Sequence, residues 1–195
     1  MQNKWIAVIG LIMALAAGPV QAADTLAQAI SEGAASGDYA AVESYVGANP
    51  SSQGEAALAL LQSAAEQMAT KPDAALKAII LANAYASSLT GPAAAQAAAL
   101  IASLANSAAT MSGANPTVGA QILAALSSMA SLPNIAAASP ALYAQVLGAA
   151  ADFVALAQQD NNQPPGPLQQ QVLLAQQEAA RPGTNQSPTT TASQD

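Results

Sequence analysis

The 195-residue chain contains neither histidine nor cysteine, so any chemistry must come from lysines, carboxylates, hydroxyls and phenols. Without imidazole, serine–histidine and cysteine–histidine catalysis lack their base. Without thiolate, cysteine-ligated zinc, iron–sulfur clusters and disulfides are excluded. A serine–lysine pair would have to use Lys71 or Lys77, but neither closes a Ser-x-x-Lys spacing. Both read as solvated residues or residues of a helical first turn. The carboxylates do not pair in an obvious way: Glu55 and Glu66 stand eleven residues apart. Asp38 and Glu43 flank a turn, where Asp38 suits the N-cap of a helix beginning at Tyr39. Asp152 is alone in a neutral run and is expected to face water, since burying an unpaired carboxylate is costly. Asp160-Asn161-Asn162 offers oxygen ligands but lacks the alternating spacing of an EF-hand loop. No glycine-rich phosphate loop occurs. The sequence therefore predicts no catalytic, cofactor-binding or metal-ligating residues, and a protein that is not an enzyme. Tyr39, Tyr45, Tyr85 and Tyr143 remain as candidate partner contacts, because tyrosine is enriched at interface hot spots. The alternative is packing, with each hydroxyl at the rim of the core.

The elements that would position these groups follow from composition. Alanine makes up about a quarter of the chain, far above ordinary usage. It is the best helix former and loses no side-chain entropy on folding. The branched and aromatic residues that strands favour are scarce, with a single phenylalanine, Phe153. An all-α protein is predicted. Residues 1–22 have a lysine, an uncharged apolar run, Pro19 and the small residues Val20 and Ala22 at leader-peptidase positions. This is the form of a bacterial signal peptide cut between Ala22 and Ala23, and it predicts a periplasmic or secreted protein. Beyond residue 22 the chain holds three basic residues against eleven acidic ones. Nucleic acid and anionic membrane surfaces are then disfavoured partners, because both need clustered lysine and arginine.

Prolines number the helices. Pro50, Pro72, Pro92, Pro116, Pro140 and Pro167 each precede an alanine- or leucine-rich run, and proline is tolerated where a helix begins. Thr90, Asn115 and Ser139 stand where N-caps belong, Ser52 with Glu55 has the spacing of a capping box, and Thr25 with Gln28 that of a weaker one. Helices are predicted over residues 25–35, 38–47, 52–69, 72–89, 92–111, 116–132 and 140–158. They form one helical domain over 23–159. A proline-rich linker (160–167), a glutamine-rich helix (168–181) and a Ser/Thr/Pro tail without periodicity (182–195) follow. Apolar stripes at helical spacing run through Leu58, Leu61, Ala65 and Met68; through Leu76, Ile79, Ile80 and Ala84; through Val118, Ile122, Leu126 and Met129; and through Leu142, Val146, Ala149, Phe153 and Leu156.

The segment from Pro116 nearly repeats from Pro140: Ala120, Gln121, Leu123, Ala125 and Leu132 align with Ala144, Gln145, Leu147, Ala149 and Leu156. Two helices with their turns occupy roughly 42–48 residues, close to the period of HEAT-like units. Antiparallel helical hairpins stacked as a short α-solenoid fit this spacing. So does a closed helical bundle, because alanine-rich helices align well with one another in any case. The stretch AASGDYAAVESYVGANP resembles the helix openings of ankyrin-type repeats. It occurs once and lacks their Thr-Pro-Leu-His signature, and the landmarks of tetratricopeptide repeats are missing.

From Ala78 to Ala151 there is no charged residue, whereas soluble surfaces ordinarily carry frequent charges that keep copies apart. The most apolar window, 93–111, depends mostly on alanine and carries Gln96, Ser103, Asn106, Ser107 and Thr110, so no stable membrane span is expected in the mature chain. Neutral faces of small residues suit close helix contact, with itself or with a protein partner. The expected function is an exported, non-enzymatic helical scaffold or protein-binding module of the bacterial cell envelope. The alternative is a self-assembling surface or matrix component, and a membrane-perturbing helical protein stands third.

Overall fold

The computed structural model describes residues 25–159 and, beyond them, Gln170 alone. The expected leader, linker, C-terminal helix and tail lie outside the described residues. Among the described residues the chain is all-helical: α1 (Leu26–Ser36), α2 (Ala40–Ala48), α3 (Gln53–Gln67), α4 (Pro72–Tyr85), α5 (Gly91–Ala109), α6 (Pro116–Ala130), α7 (Pro133–Ala138) and α8 (Leu142–Gln159). Short 3-10 turns precede α3 (Pro50–Ser52) and follow α4 (Ala86–Ser88).

Local chemistry sets these boundaries. Thr25 caps α1, with its Oγ1 accepting from the Gln28 N–H at 3.2 Å. The Gln28 side chain does not return to the cap; it donates to Glu32 one turn on. Gly37 ends α1 in the left-handed region at φ 72°, where its N–H reaches the Gly33 carbonyl at 2.7 Å, a conformation glycine adopts without a Cβ penalty. Asp38 Oδ1 accepts from the Ala40 N–H at 3.1 Å, so α2 opens at Ala40, one residue later than the sequence predicts. Prolines stand in the first turns of α4, α5, α6 and α7. Several expected caps are not made by side chains. Thr90 and Asn115 occupy N-cap positions without a side-chain cap bond. The Ser52 hydroxyl donates backwards to the Asn49 carbonyl at 2.7 Å. Ser139 closes α7 instead of opening α8, which begins at Leu142.

The largest departure from the sequence reading is α7, which divides what proline spacing presents as the end of one helix and a loop. Leu132 precedes Pro133 and takes an extended conformation, φ −64° and ψ 136°, because a residue before proline is pushed out of the helical region. Helix α6 therefore stops at Ala130, and Pro133 starts a new, short helix. Asn134 fastens it: its Nδ2 donates to the Ala86 and Leu89 carbonyls, each at 2.8 Å. Those carbonyls lie in and just after the 3-10 turn that follows α4, where helical partners run out.

Buried side chains form one connected core reaching all eight helices. Helix α1 pairs with α2 and leans on α3; α3 packs on α4 and α5; α4 packs on α6; α8 rests on both α5 and α6, and α7 on α5. The core face of α4 is built from Ala75, Ala78, Ile79 and Ala82, all fully buried, and Ala56, Ala57, Leu60, Leu61 and Ala64 do the same on α3. Part of each predicted stripe is displaced by this arrangement. Leu61, Leu76, Ile79, Ile122, Leu126, Met129, Leu142, Val146 and Phe153 are buried as expected. Ala65 and Ala84 are exposed, Leu58 and Val118 are only partly covered, and Ile80 and Leu156 are 55% and 40% exposed. Alanine rows allow helices to approach closely, and a close approach contacts a narrow strip. Successive residues on a helix point about 100° apart, so Ile79 fills the strip and its neighbour Ile80 is left outside.

Glycine permits one close approach between helices. A Cβ on Gly119 of α6 would lie 2.8 Å from Phe153 Cε2, 3.1 Å from Met111 Cβ and 3.3 Å from the Ala108 carbonyl oxygen. The single phenylalanine is thus seated where α5, α6 and α8 meet, over a residue with no side chain.

Candidate functional site

Helix α2 packs on α1 and α3, and a cleft of about 410 Å³ opens between α2 and α4. Asp38, Tyr39, Ala40 and Glu43 form one wall; Lys77, Ile80, Leu81 and Ala84 form the other. Ile80 is the most exposed large apolar side chain among the described residues, and it stands in this cleft. Tyr39 is 5% exposed. Its ring lies against Gly33, where a Cβ would collide with Cδ1 and Cε1. Its hydroxyl turns into the core, accepting from Gln67 Nε2 at 2.9 Å and lying 3.5 Å from Ser63 Oγ. Gln67 Nε2 also donates to Ser63 Oγ at 2.7 Å and to the Ser63 carbonyl at 3.0 Å, which leaves Gln67 Oε1 buried without a partner.

The electrostatics of the cleft are dominated by α2. Asp38 uses one oxygen on the Ala40 N–H, and Glu43 is exposed. Burial pushes the Tyr85 phenol above its usual pKa, and the negative charge of Glu43 adds to the shift. Lys77 lines the cleft, but its Nζ donates to the Gly37 carbonyl at 2.9 Å. Lys71 Nζ donates to the Ala34 and Ala35 carbonyls at 3.3 and 3.1 Å. Both lysines therefore serve the C-terminal end of α1, where unsatisfied carbonyls and the helix dipole concentrate negative charge. No serine hydroxyl is among the hydrogen-bond partners of either lysine in the described residues.

The other residues singled out by sequence are scattered. Tyr45 and Tyr85 are half-buried on α2 and α4. Tyr143, 43% exposed, lies on α8 and apart from the cleft. Glu55 and Glu66 are exposed on α3, and Asp152 is exposed on α8; Asp160 lies outside the described residues. Among the described residues no three His, Cys, Asp or Glu side chains gather to hold a metal ion, and no helix is long and apolar enough to cross a membrane. A second, larger cleft of about 640 Å³ lies between the C-terminal halves of α3 and α5. Met68, Met111, Ser103, Asn106, Ser107 and Asn115 contribute to its lining, and none of its lining groups is charged.

Fold and clefts define an alanine-rich all-helical protein with one charged end, α1–α4, and one nearly neutral end, α5–α8. Comparison with protein-family models, with curated proteins and with solved structures finds no match.

Sequence reasoning missed Ile80 as an exposed residue because it counted toward a core stripe. The signal was the Ile79-Ile80 pair: on a narrow alanine face only one of two adjacent isoleucines can be covered. The work done by Asn134 and by the two lysines had no local signal, since their partners lie 36 to 48 residues away.

Proposed function

We propose that the protein is a non-enzymatic helical scaffold or protein-binding module, exported to the bacterial cell envelope, with the α2–α4 cleft as its docking place. The observation that carries this reading is Ile80, 55% exposed in a concave site walled by Asp38 and Glu43. Concave sites with an apolar surface and a few polar groups are where proteins take ligands. Export rests on the leader-like form of residues 1–22. A short stack of helical hairpins is the architecture we favour, because contacts pass from one helix pair to the next, from α1 and α2 to α3, from α3 to α5 and α4 to α6, and from α5 and α6 to α8. Such stacks leave lateral grooves open for partners.

The test is a photo-crosslinking residue placed at Ile80, in the exported full chain, with the same residue at the exposed Ser128 of α6 as control. A defined crosslinked species from position 80 and none from position 128 is expected. Equal yields from both would reject the cleft as the docking place. N-terminal sequencing of the envelope fraction checks export, with Ala23 expected as the first residue.

A second reading, a self-assembling surface or matrix component, is favoured by the uncharged span from Ala78 to Ala151 and by exposed Tyr143 and Leu156 on α8. Copies meeting through that end would feel little charge repulsion. Sedimentation velocity over a concentration series separates the two: growth of large species supports assembly, and a constant monomer rejects it.

A further inference from the structure

We infer that the α2–α4 cleft receives a partner segment in which a large aliphatic side chain stands beside lysine or arginine. The inference rests on the reading of that cleft as a docking place and names the chemistry of its occupant. Ile80, Leu81 and Ala84 give one apolar wall, and the about 410 Å³ between the helices is large enough for an aliphatic side chain and part of its neighbour. Opposite stand Asp38 and Glu43, and no lysine–carboxylate ion pair forms among the described residues: the two lysines go to backbone carbonyls of α1. Lys77, the cation in the cleft wall, is held by the Gly37 carbonyl, so it offsets the charge of α2 without pairing with either carboxylate.

Charge then selects among occupants. The chain carries a formal charge of −7, so its long-range field draws in cationic segments and repels anionic ones. A nucleic acid or an anionic membrane surface is repelled by the same field. A second copy is a poor occupant: beyond residue 22 the chain holds only Lys71, Lys77 and Arg181 as cations; both lysines are already engaged, and Arg181 stands between Ala180 and Pro182 with no large aliphatic residue beside it. What remains is another protein, offering an aliphatic residue to Ile80 and a cation to the carboxylates of Asp38 and Glu43.

The experiment uses three capped pentapeptides, Ala-Lys-Leu-Lys-Ala, Ala-Gln-Leu-Gln-Ala and Ala-Glu-Leu-Glu-Ala, titrated into the isotopically labelled mature protein and followed by amide NMR shifts. The lysine peptide is expected to shift amides of residues 38–43 and 77–84, and to bind about 2- to 5-fold tighter than the glutamine peptide for each carboxylate it engages. The glutamate peptide is expected to bind weakest. Asp38→Asn keeps an oxygen for the Ala40 N–H and Glu43→Gln keeps a helix-compatible side chain, so the double variant should hold its fold, checked by its circular dichroism. In it the advantage of lysine over glutamine should vanish. Equal binding of the lysine and glutamine peptides at residues 38–43 and 77–84 would overturn the charge preference while leaving the cleft as a docking place. No shift at those residues with any peptide would overturn the docking place itself.

Discussion

Gly119→Ala and Gly148→Ala make the same chemical change in two helix interiors and should move stability in opposite directions. In the interior of a helix, replacing glycine by alanine ordinarily stabilises by about 0.5–1 kcal/mol, because glycine loses more chain entropy on folding. Gly148 in α8 has open space where a Cβ would go, so the full gain is expected there. At Gly119 the new methyl would stand 2.8 Å from Phe153 Cε2 and 3.1 Å from Met111 Cβ. The Ala108 carbonyl oxygen, 3.3 Å away, belongs to the backbone and cannot rotate aside. Phe153 is fully buried, so its ring has no solvent to move into. Overpacking of this kind costs about 1–3 kcal/mol. Subtracting the propensity gain leaves Gly119→Ala less stable by up to about 2.5 kcal/mol, and by about 1 kcal/mol at the middle of both ranges. The assay is thermal and urea unfolding followed by helical circular dichroism, with Tm moving by about 2–4 °C per kcal/mol for a domain of this size. Phe153→Leu in the Gly119→Ala background should recover part of the loss, with a coupling of about 0.5–3 kcal/mol between the two positions. Equal stabilisation by both alanines would refute the close approach of α6 and α8 on which the reasoning depends.

Other perturbations probe the contacts that sequence did not reveal. Asn134→Ala should cost about 1–3 kcal/mol in urea unfolding, because in a part-buried site it strips the Leu89 carbonyl of its side-chain donor and leaves the Ala86 carbonyl with the Leu89 N–H alone; hydrogen exchange should rise in α7 before it rises in α3. Lys71→Met and Lys77→Met should each cost about 0.3–1 kcal/mol, by removing a cation from the C-terminal end of α1, and added salt should shrink the difference from the parent. The Tyr85 phenol, raised above its usual pKa of 10.0 first by burial and then by Glu43, should titrate later than an unfolded tyrosine. Above that ordinary value the unfolded chain gives up the proton before the folded chain does, so Tyr85 should add to the loss of stability as pH rises past about 10. Tyr85→Phe should lessen that loss, and Glu43→Gln should lower the midpoint seen by phenolate absorbance without restoring it fully.

Sequence alone determined that this protein is helical, where most of its helices begin and which chemistries its side chains cannot perform. Those properties are local: alanine content, prolines at helix starts, and the absence of imidazole and thiol act without regard to what packs where. Asp152 in water was legible for the same reason; Asp38 was legible as a residue of the α2 entry, although Tyr39 takes the N-cap position and Asp38 reaches the Ala40 N–H from one residue before it. Tertiary structure decided which face of each helix is covered. An alanine-rich surface has no strongly preferred apolar stripe, so the narrow contacts between α3, α4 and their neighbours selected Ile79 for the core and left Ile80 in the cleft. It also decided where hydrogen-bonding groups far apart in sequence would meet: Asn134 with the end of α4, and both lysines with the end of α1. No spacing rule reaches across such distances, because the partners are brought together only when the helices stack.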